Sequence, residues 1–384
     1  MSGIYLHIPF CKHACHYCDF HFSTSLKKKT EMIEAIVNEL LLRKNEFRDE
    51  VVETIYFGGG TPSLLSIEEL QLLLDTIYQN YTVSDHPEIT LEANPDDLMC
   101  HTERSRSGEI IFKNYKSIGI NRLSIGIQSF FEDDLKLMNR AHNSEEAEEC
   151  LVEATRYFDN ISIDLIYGMP NMDNAKWIKN LEKALSFNIS HISSYALTVE
   201  PKTALASFIK KGTVKAVDDT VVEEHFNILN KTLIEAGYAS YEISNFGKPG
   251  FFSKHNTSYW QGKIYMGIGP SAHSFDGEHR GWNVKNNTKY IKAISEGKLS
   301  MEMETLTIAN QYNEYVMTGL RTIWGVSLSK IKLDFGEKYH QYILKEAKKH
   351  IENKVLQFDG DVLLTTQKGK FLCDGIASDL FLLN

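Results

Sequence analysis

The sequence predicts an α/β fold built round a parallel sheet, and three observations lead to it. Six short β-rich runs recur at 4–8, 54–57, 88–93, 122–128, 161–167 and 191–197. Amphipathic helical stretches fill the intervals at 29–47, 66–81, 110–118, 144–157 and 174–187. Strand-helix units a few tens of residues apart suit right-handed crossovers between parallel strands. Periodicity barely separates an open barrel from a doubly wound sheet. The placement of polar residues separates them, because a parallel barrel gathers its chemistry at the carboxyl ends of its strands.

Taken in order, the first run, Ile4-Tyr5-Leu6-His7-Ile8, opens into a loop carrying Cys11, Cys15 and Cys18. Thr30 reads as the N-cap of the following helix, with Ile33, Ile36, Val37, Leu40 and Leu41 as its buried face. The second run ends in Gly58-Gly59-Gly60-Thr61-Pro62, and Ser66 with Glu69 three residues later forms a capping-box signature. The third carries Glu92 and Asn94. The stretch 99–108 then breaks the rhythm and reads as a surface loop insertion, in which Cys100 and His101 are too weak a pair to argue for a metal. Gln128 and Ser129 end the fourth run, Asp164 lies in the fifth ahead of Tyr167 and Gly168, and Tyr195 lies in the sixth. Something polar or glycine-rich at every strand end favours the barrel.

From 241 to 305 the chain is rich in glycine, aromatic residues and histidine, and is expected to pack irregularly against the barrel. Helical spacing returns with Tyr312, Tyr315, Val316 and Leu320, and again with Tyr339, Ile343, Ala347 and Ile351. Two β runs, 355–358 and 362–365, flank an Asp359-Gly360 turn signal, and a final helix is expected over about 367–380. This order suggests a smaller α+β, winged-helix-like module with no concentrated basic face, hence a packing or lid role. The expected division is 1–240, 241–305 and 306–384.

Composition bounds the function. The 384 residues are 42% hydrophobic and 24% charged, ordinary for a folding chain. Forty-one basic against 51 acidic residues leave a net charge of −10, so no overall basic field recruits nucleic acid. With no 18-residue apolar run and no secretory leader pattern, a cytoplasmic protein is expected. Six cysteines, three of them within eight residues, do not make a secreted disulfide framework and point to soft-metal ligation in a reducing compartment.

Cys11-x3-Cys15-x2-Cys18 places three thiolates in one short loop, the soft ligands that suit iron-sulfur clusters or zinc. Structural zinc would need a fourth ligand, with His13, His16 and His21 within reach in sequence. A cluster with one iron left without a protein ligand accounts for three cysteines directly.

These residues resemble the radical S-adenosylmethionine (SAM) superfamily: the cysteine spacing after one strand, and Gly58-Gly59-Gly60-Thr61-Pro62 after the next. The resemblance implies an incomplete (β/α)6 TIM-type barrel. It also implies a 4Fe-4S cluster on Cys11, Cys15 and Cys18, and SAM on the fourth iron, where one electron splits the sulfonium to methionine and a 5′-deoxyadenosyl radical. Glu92-Ala93-Asn94-Pro95, Gly126-Ile127-Gln128-Ser129-Phe130 and Asp164-Leu165-Ile166-Tyr167-Gly168 extend the likeness to the oxygen-independent coproporphyrinogen III oxidase group along nearly the whole chain. By that likeness Tyr5, Tyr17, Gly59, Gly60, Thr61, Glu92, Gln128, Arg140, Asp164 and Ala196 would line the SAM site, with Tyr17 beside the cluster. Glycine amides there would form an anion-friendly nest, Glu92 would accept from the methionine ammonium, Asp164 from ribose hydroxyls, and Arg140 would grip a carboxylate in a fork.

Two branches of that group differ in task. The dehydrogenase, which decarboxylates two propionates of coproporphyrinogen III in porphyrin biosynthesis, typically has a further cysteine after the motif and an N-terminal extension. Here Asp19 and Phe20 follow Cys18, and three residues precede Ile4. His255-Asn256-Thr257-Ser258-Tyr259-Trp260 and Gly267-Ile268-Gly269-Pro270-Ser271-Ala272-His273-Ser274 instead resemble the haem-chaperone branch. That implies haem as cargo, with His255, Tyr259 and Trp260 as its site, and delivery to respiratory haemoproteins, with peripheral association at the inner face of the membrane. The dehydrogenase is the alternative reading.

Overall fold

The computed structural model describes residues 2–47, 50–99 and 107–383. Its centre is six parallel strands in chain order, β1 (Ser2–Ile8), β2 (Val52–Gly59), β3 (Val83–Ala93), β4 (Arg122–Gln128), β5 (Ile161–Tyr167) and β6 (His191–Ala196). All six expected runs are strands, and the expected helices form between them as Lys29–Arg43, Ile67–Asn80, Ser107–Ser117, Ser144–Ala154 and Asn174–Ser186. Residues 100–106, most of the expected insertion, lie outside the described residues.

The strands alternate with period two. Ile4, Leu6, Ile8, Ile55, Phe57, Ile89, Leu91, Leu123, Ile125, Ile127, Ile161, Ile163, Leu165 and Ile192 belong to the main hydrophobic core. The intervening positions bring Tyr5, His7, Thr54, Tyr56, Glu88, Thr90, Glu92, Arg122, Ser124, Ser162, Asp164, His191 and Ser193 onto the other face. The sheet curls round this polar face as an incomplete barrel. Burying so many polar groups is tolerable only when they bond to one another. Tyr56, for example, donates to Glu92 at 2.8 Å, while His191 lies 2.7 Å from both Ser162 Oγ and the Tyr241 hydroxyl.

Two local expectations fare differently. Ser66 caps Ile67–Asn80 with the full reciprocal box. Thr30 does not cap: a turn closed by Lys29 N–H on Leu26 O leads in, and the Lys28 carbonyl receives Met32 N–H, so the helix begins ahead of Thr30. Its buried face is also rotated from expectation. Leu41 is 41% exposed, whereas Glu39 and Arg43 are buried.

The buried charges explain the rotation. Arg43 lies 3.2 Å from Glu39 and donates to the Gly267 carbonyl at 2.8 Å. Glu39 accepts from the Gly269 amide (2.9 Å), Asn283 (2.8 Å) and the Tyr290 hydroxyl (2.6 Å). Thus the Gly267–Ser274 motif is held by the first helix, and Gly267 must be glycine because a Cβ there would lie 2.0 Å from the His273 carbonyl oxygen.

The segment after 238 is more regular than expected. β7 (Ala239–Ser240), β8 (Asn245–Gly247), β9 (Tyr265–Ile268), β10 (His273–Phe275), β11 (His279–Asn283) and β12 (Met301–Thr305) extend the sheet at both edges, giving the order β12-β11-β10-β9-β1-β2-β3-β4-β5-β6-β8-β7. These strands are two to five residues long, too short to show an alternation in sequence. Helices Glu132–Met138, Ala204–Lys210 and Asp219–Glu235 were also not anticipated.

A second core assembles Tyr312, Val316, Leu320, Ile331, Ile343, Leu363, Ile376 and Leu380 with their neighbours. It is covered by the antiparallel sheet of β13 (Val326–Ser327), β14 (Leu356–Asp359) and β15 (Val362–Thr365), in the order β13-β15-β14. Gly360, at φ 56°, makes the expected turn. The last helical stretch is a 3-10 turn, Lys370–Leu372, running into Cys373–Asp379. No helix among the described residues is long and apolar enough to cross a membrane.

Replacing Glu39 by Ala should leave Arg43 with Glu46 at 2.8 Å but deprive the buried Gly269 amide and Tyr290 hydroxyl of their acceptor, costing about 2–4 kcal/mol. Urea denaturation followed by tryptophan fluorescence measures this, and a loss below about 1 kcal/mol would show the carboxylate to be dispensable.

Candidate functional site

A cleft of about 470 Å³ opens at the carboxyl ends of the parallel strands. Cys11, Cys15 and Cys18 line it together with Tyr17, Gly59, Gly60, Thr61, Glu92, Gln128, Arg140, Asp164 and Ala196. Of the residues expected there, Tyr5 alone does not line it. Tyr5 lies beneath Gly58, where a Cβ would come within 2.9 Å of its ring.

The cysteine loop is secured from several sides. Cys11 N–H bonds Ser23 O, and the His16 amide and Nδ1–H donate to the carbonyls of Met138 and Leu137. Asn139 donates to Ala14 O at 2.9 Å, Leu205 N–H to His16 O at 2.9 Å, and Lys12 is paired with Asp96 at 2.9 Å and with the buried Asp97. All three thiols are partly exposed to the cleft. Burial, reinforced by the neighbouring thiols, pushes Cys11 up to about 11 and raises Cys18. Metal ligation would require their deprotonation. Two of the histidines considered as a fourth zinc ligand are engaged elsewhere, His16 with Leu137 and His21 Nε2 with Asn287 Oδ1 at 2.6 Å. Among the described residues no three His, Cys, Asp or Glu side chains converge on a single-ion site.

The glycine segment differs from the expected nest. Gly59 N–H donates to Glu92 Oε2 at 3.1 Å, Gly60 N–H to Ile8 O at 2.9 Å and Thr61 N–H to Phe10 O at 2.7 Å. All three amides are therefore spent within the protein, leaving no anion nest. The glycines instead permit close approach. A Cβ on Gly60 would lie 2.6 Å from the Phe10 carbonyl oxygen, and one on Gly59, at φ 105°, would lie 2.5 Å from His7 Nδ1.

Arg140 also differs from expectation. Its guanidinium reaches Cys15 Sγ at 3.4 Å, the Gly126 carbonyl at 2.9 Å and Asn94 Oδ1, with no carboxylate in the fork. Its Nε is buried without a partner. Glu92 is held by the Tyr56 hydroxyl and the Gly59 amide. Burial, with Asp164 adding repulsion, raises Glu92 to about 7. Burial raises Asp164 to about 6, against the pull of the Ser193 hydroxyl, Arg122 and Arg140. Gln128 stands at φ 67°, in the left-handed region, where the β4–β5 register slips. Such strain collects at functional sites.

Tyr195, read from the sequence as the polar residue of the sixth strand, lines the cleft, whereas sequence reasoning missed Lys12 as the anchor of the cysteine loop, Asn94 as the rest for Arg140, and Ser124 and Gly126 as cleft walls. Ser124 and Gly126 stand four and two residues before Gln128 on the same strand face, so the period of two was the signal available.

His255, Tyr259 and Trp260 are not brought to the cleft. They lie on the helix Lys254–Trp260, packed against β1 and β2. The His255 ring is buried, with Nδ1 2.7 Å from Thr54 Oγ1 and Nε2 2.7 Å from the Tyr259 hydroxyl. Burial, aided by Arg122, lowers it to about 3, so the imidazole is neutral. Both ring nitrogens are hydrogen-bonded within the protein. Trp260 is half-buried with the Arg321 guanidinium 5.2 Å from its ring centre.

A profile of the Radical SAM superfamily matches residues 5–184, and one of the HemN C-terminal domain matches 306–372. Heme chaperone HemW of Bacillus subtilis (strain 168) is 33% identical over 376 residues, covering 97% of each chain. Heme chaperone HemW of Mycobacterium tuberculosis (strain H37Rv) is 32% identical over 384 residues, 98% of this chain and 94% of its own. The structure of coproporphyrinogen III oxidase (HemN) from Escherichia coli, described as a radical SAM enzyme, superposes with a TM-score of 0.83 over 99% of this chain and 90% of its own. At 22% identity it establishes the shared fold. With relatives above 30% identity along almost its entire length, the chain belongs to the HemW family of the radical SAM superfamily.

Proposed function

We propose that this chain is a haem chaperone, binding haem and passing it to haemoproteins, on a scaffold that carries a 4Fe-4S cluster and SAM. The observation that carries this is the full-length similarity to proteins named heme chaperones, in a chain that keeps three cysteines round a SAM-sized cleft. Cys11, Cys15 and Cys18 would each ligate one iron, with the secured loop holding their spacing. The cluster, when bound, supplies one electron at a time to the sulfonium of SAM.

The residues of the cleft suit that group. The partnerless Nε of Arg140 faces no protein acceptor, and the Arg140 contact sets a positive charge beside the Cys15 sulfur. Glu92 would receive the ammonium of SAM, Asp164 its ribose, and Gln128, Thr61, Tyr17 and Ala196 would complete the walls. Gly59 and Gly60 would line the cleft through their backbone, and Tyr5 would contribute from beneath, through packing. The barrel to about 240, its edge strands to about 305 and the C-terminal module with its own core make the working division of the chain. Haem recipients, and an electron donor for the cluster, are the partners this reading requires.

The dehydrogenase reading shares the fold and the cleft, and a direct assay separates them. Anaerobically reconstituted protein given coproporphyrinogen III, SAM and reductant should form no protoporphyrinogen IX. The same protein should take up haem stoichiometrically, with a new Soret band, and transfer it to a respiratory haemoprotein stripped of haem. Product formation without haem uptake would reverse the assignment. Replacing Cys11, Cys15 or Cys18 by Ser should bring iron and sulfide, measured after anaerobic reconstitution, to background; a variant that retained both would remove that cysteine from the cluster.

SAM affinity should depend on pH. Glu92 and Asp164 carry protons in the folded apo protein that the unfolded chain has released, so their contribution to stability is present at low pH and lost as pH rises from the usual carboxylate range to about 7. The cationic ligand prefers both groups ionised. Calorimetric titration should therefore show tighter SAM binding at pH 8 than at pH 6, and Glu92→Gln should weaken binding and flatten the profile. Equal affinity at both pH values would take the carboxylates out of the SAM contact.

A further inference from the structure

The helix Lys254–Trp260 meets β1 and β2 at the end of the barrel away from the cleft, yet its His255 is connected to the cleft floor. The connection runs through one side chain. Tyr56 has its ring stacked on the His255 imidazole, with centroids 4.9 Å apart and planes at 25°, while its hydroxyl donates to Glu92 Oε1 at 2.8 Å. Thr54, two residues earlier on the same strand face, bonds His255 Nδ1, the Tyr259 hydroxyl bonds Nε2, and the His255 backbone N–H donates to Glu88 Oε1 at 3.2 Å. The imidazole is therefore fixed on three sides.

Two glycines close this stack at its ends. A Cβ on Gly3 would meet Thr54 Oγ1 at 2.6 Å and the His255 ring at 3.1 Å. A Cβ on Gly58 would meet the Tyr56 ring at 2.8 Å, the Tyr5 ring at 2.9 Å and Glu92 Oε1 at 3.0 Å. No slack remains for the Tyr56 ring to tilt while His255 is in place. Tyr5, with its ring centroid 6.0 Å from that of Tyr56 and 6.4 Å from that of His255, is itself bonded to His7 Nδ1 and packs beside both rings.

We propose that His255 is a positioning residue for the SAM site: through the Tyr56 ring it holds the hydroxyl that orients Glu92 beneath the cleft. This rests on the reading of the cleft as a SAM site. The groups that face Glu92 are Tyr56 and the Gly59 amide from β2, Tyr5 from β1, Arg122 from β4, Asp164 from β5 and, without a hydrogen bond, Tyr259 from the helix Lys254–Trp260. Of these, only Tyr56 and the Gly59 amide bond the carboxylate, and of those two only the Tyr56 hydroxyl depends on a side chain from outside the six strands for its position. His255 is neutral, so it acts by shape and hydrogen bonding and contributes no charge.

SAM binding to the cluster-loaded full chain, titrated between pH 6 and 8, tests the proposal. Tyr56→Phe keeps the stack and loses the hydroxyl; it should weaken SAM binding by about tenfold, the worth of one hydrogen bond to a charged group, and move the pH midpoint upward. His255→Ala should do the same, and the double variant should be no weaker than Tyr56→Phe alone, because both act on one bond. His255→Gln, whose amide can reach Thr54 and Tyr259, should recover part of the affinity. If His255→Ala does not fold, the His255→Gln midpoint set between wild type and Tyr56→Phe supports the proposal, and a wild-type midpoint overturns it. Additive losses in the double variant would also overturn it, as would loss of haem uptake by His255→Gln with SAM affinity unmoved, which would return the imidazole to the haem. A wild-type protein that takes up no SAM would overturn the reading of the cleft, and this inference with it.

Discussion

The alternation of aliphatic and polar residues along six parallel strands is the constraint on which the rest of the structure depends. Aliphatic residues on one face bury themselves against the surrounding helices, and that apolar burial is the principal driving force for the fold. The opposite face is then committed to whatever lies between, and here it is occupied by hydroxyls, imidazoles, carboxylates and the Arg122 guanidinium. In a poorly polarisable interior each of these must find partners or change its protonation. His191 and His255 are neutral for this reason, and Glu92 and Asp164 hold their protons to an unusually high pH.

The cleft inherits its character from that interior. Its carboxylates are the upper members of a packed polar column, so a cationic ligand arriving from solvent meets groups already desolvated, where electrostatic interactions are stronger than in water. The glycine segment serves the same end by geometry. Its amides are consumed in tying β2 to β1 and to Glu92, and the missing side chains let the backbone lie against His7 and Phe10. A resemblance to other glycine-rich loops would suggest a phosphate or carboxylate cradle, whereas the hydrogen-bond ledger leaves no amide for one.

Haem and SAM, as proposed, make different demands on such a scaffold. The cleft sets Glu92, Asp164, Gln128 and Arg140 among apolar walls in about 470 Å³, suited to a small zwitterionic cation. The shared architecture with coproporphyrinogen III oxidase shows that the fold does not by itself choose between carrying a tetrapyrrole and reacting with one. The histidine motif, which by resemblance speaks for haem, is here an inward-facing plug whose ring nitrogens are both engaged.

Six strands, their intervening helices, the Ser66 cap and the cysteine loop were legible in the sequence because each is set by neighbours within a few residues: a period of two, a period of 3.6, a capping pair, a ligand spacing. The buried Glu39 and Arg43, which turned the first helix and left Leu41 in solvent, could not be read that way, since their partners Gly267, Gly269, Asn283 and Tyr290 lie more than two hundred residues away. The same holds for the short edge strands after 238, stabilised by pairing to a sheet that must already exist, and for the fate of the Gly59, Gly60 and Thr61 amides. Local sequence determined which elements form and where the thiols stand. Only the tertiary structure decided which hydrogen-bonding groups remain free for a ligand, because that depends on the non-local partner each group finds when the chain closes round it.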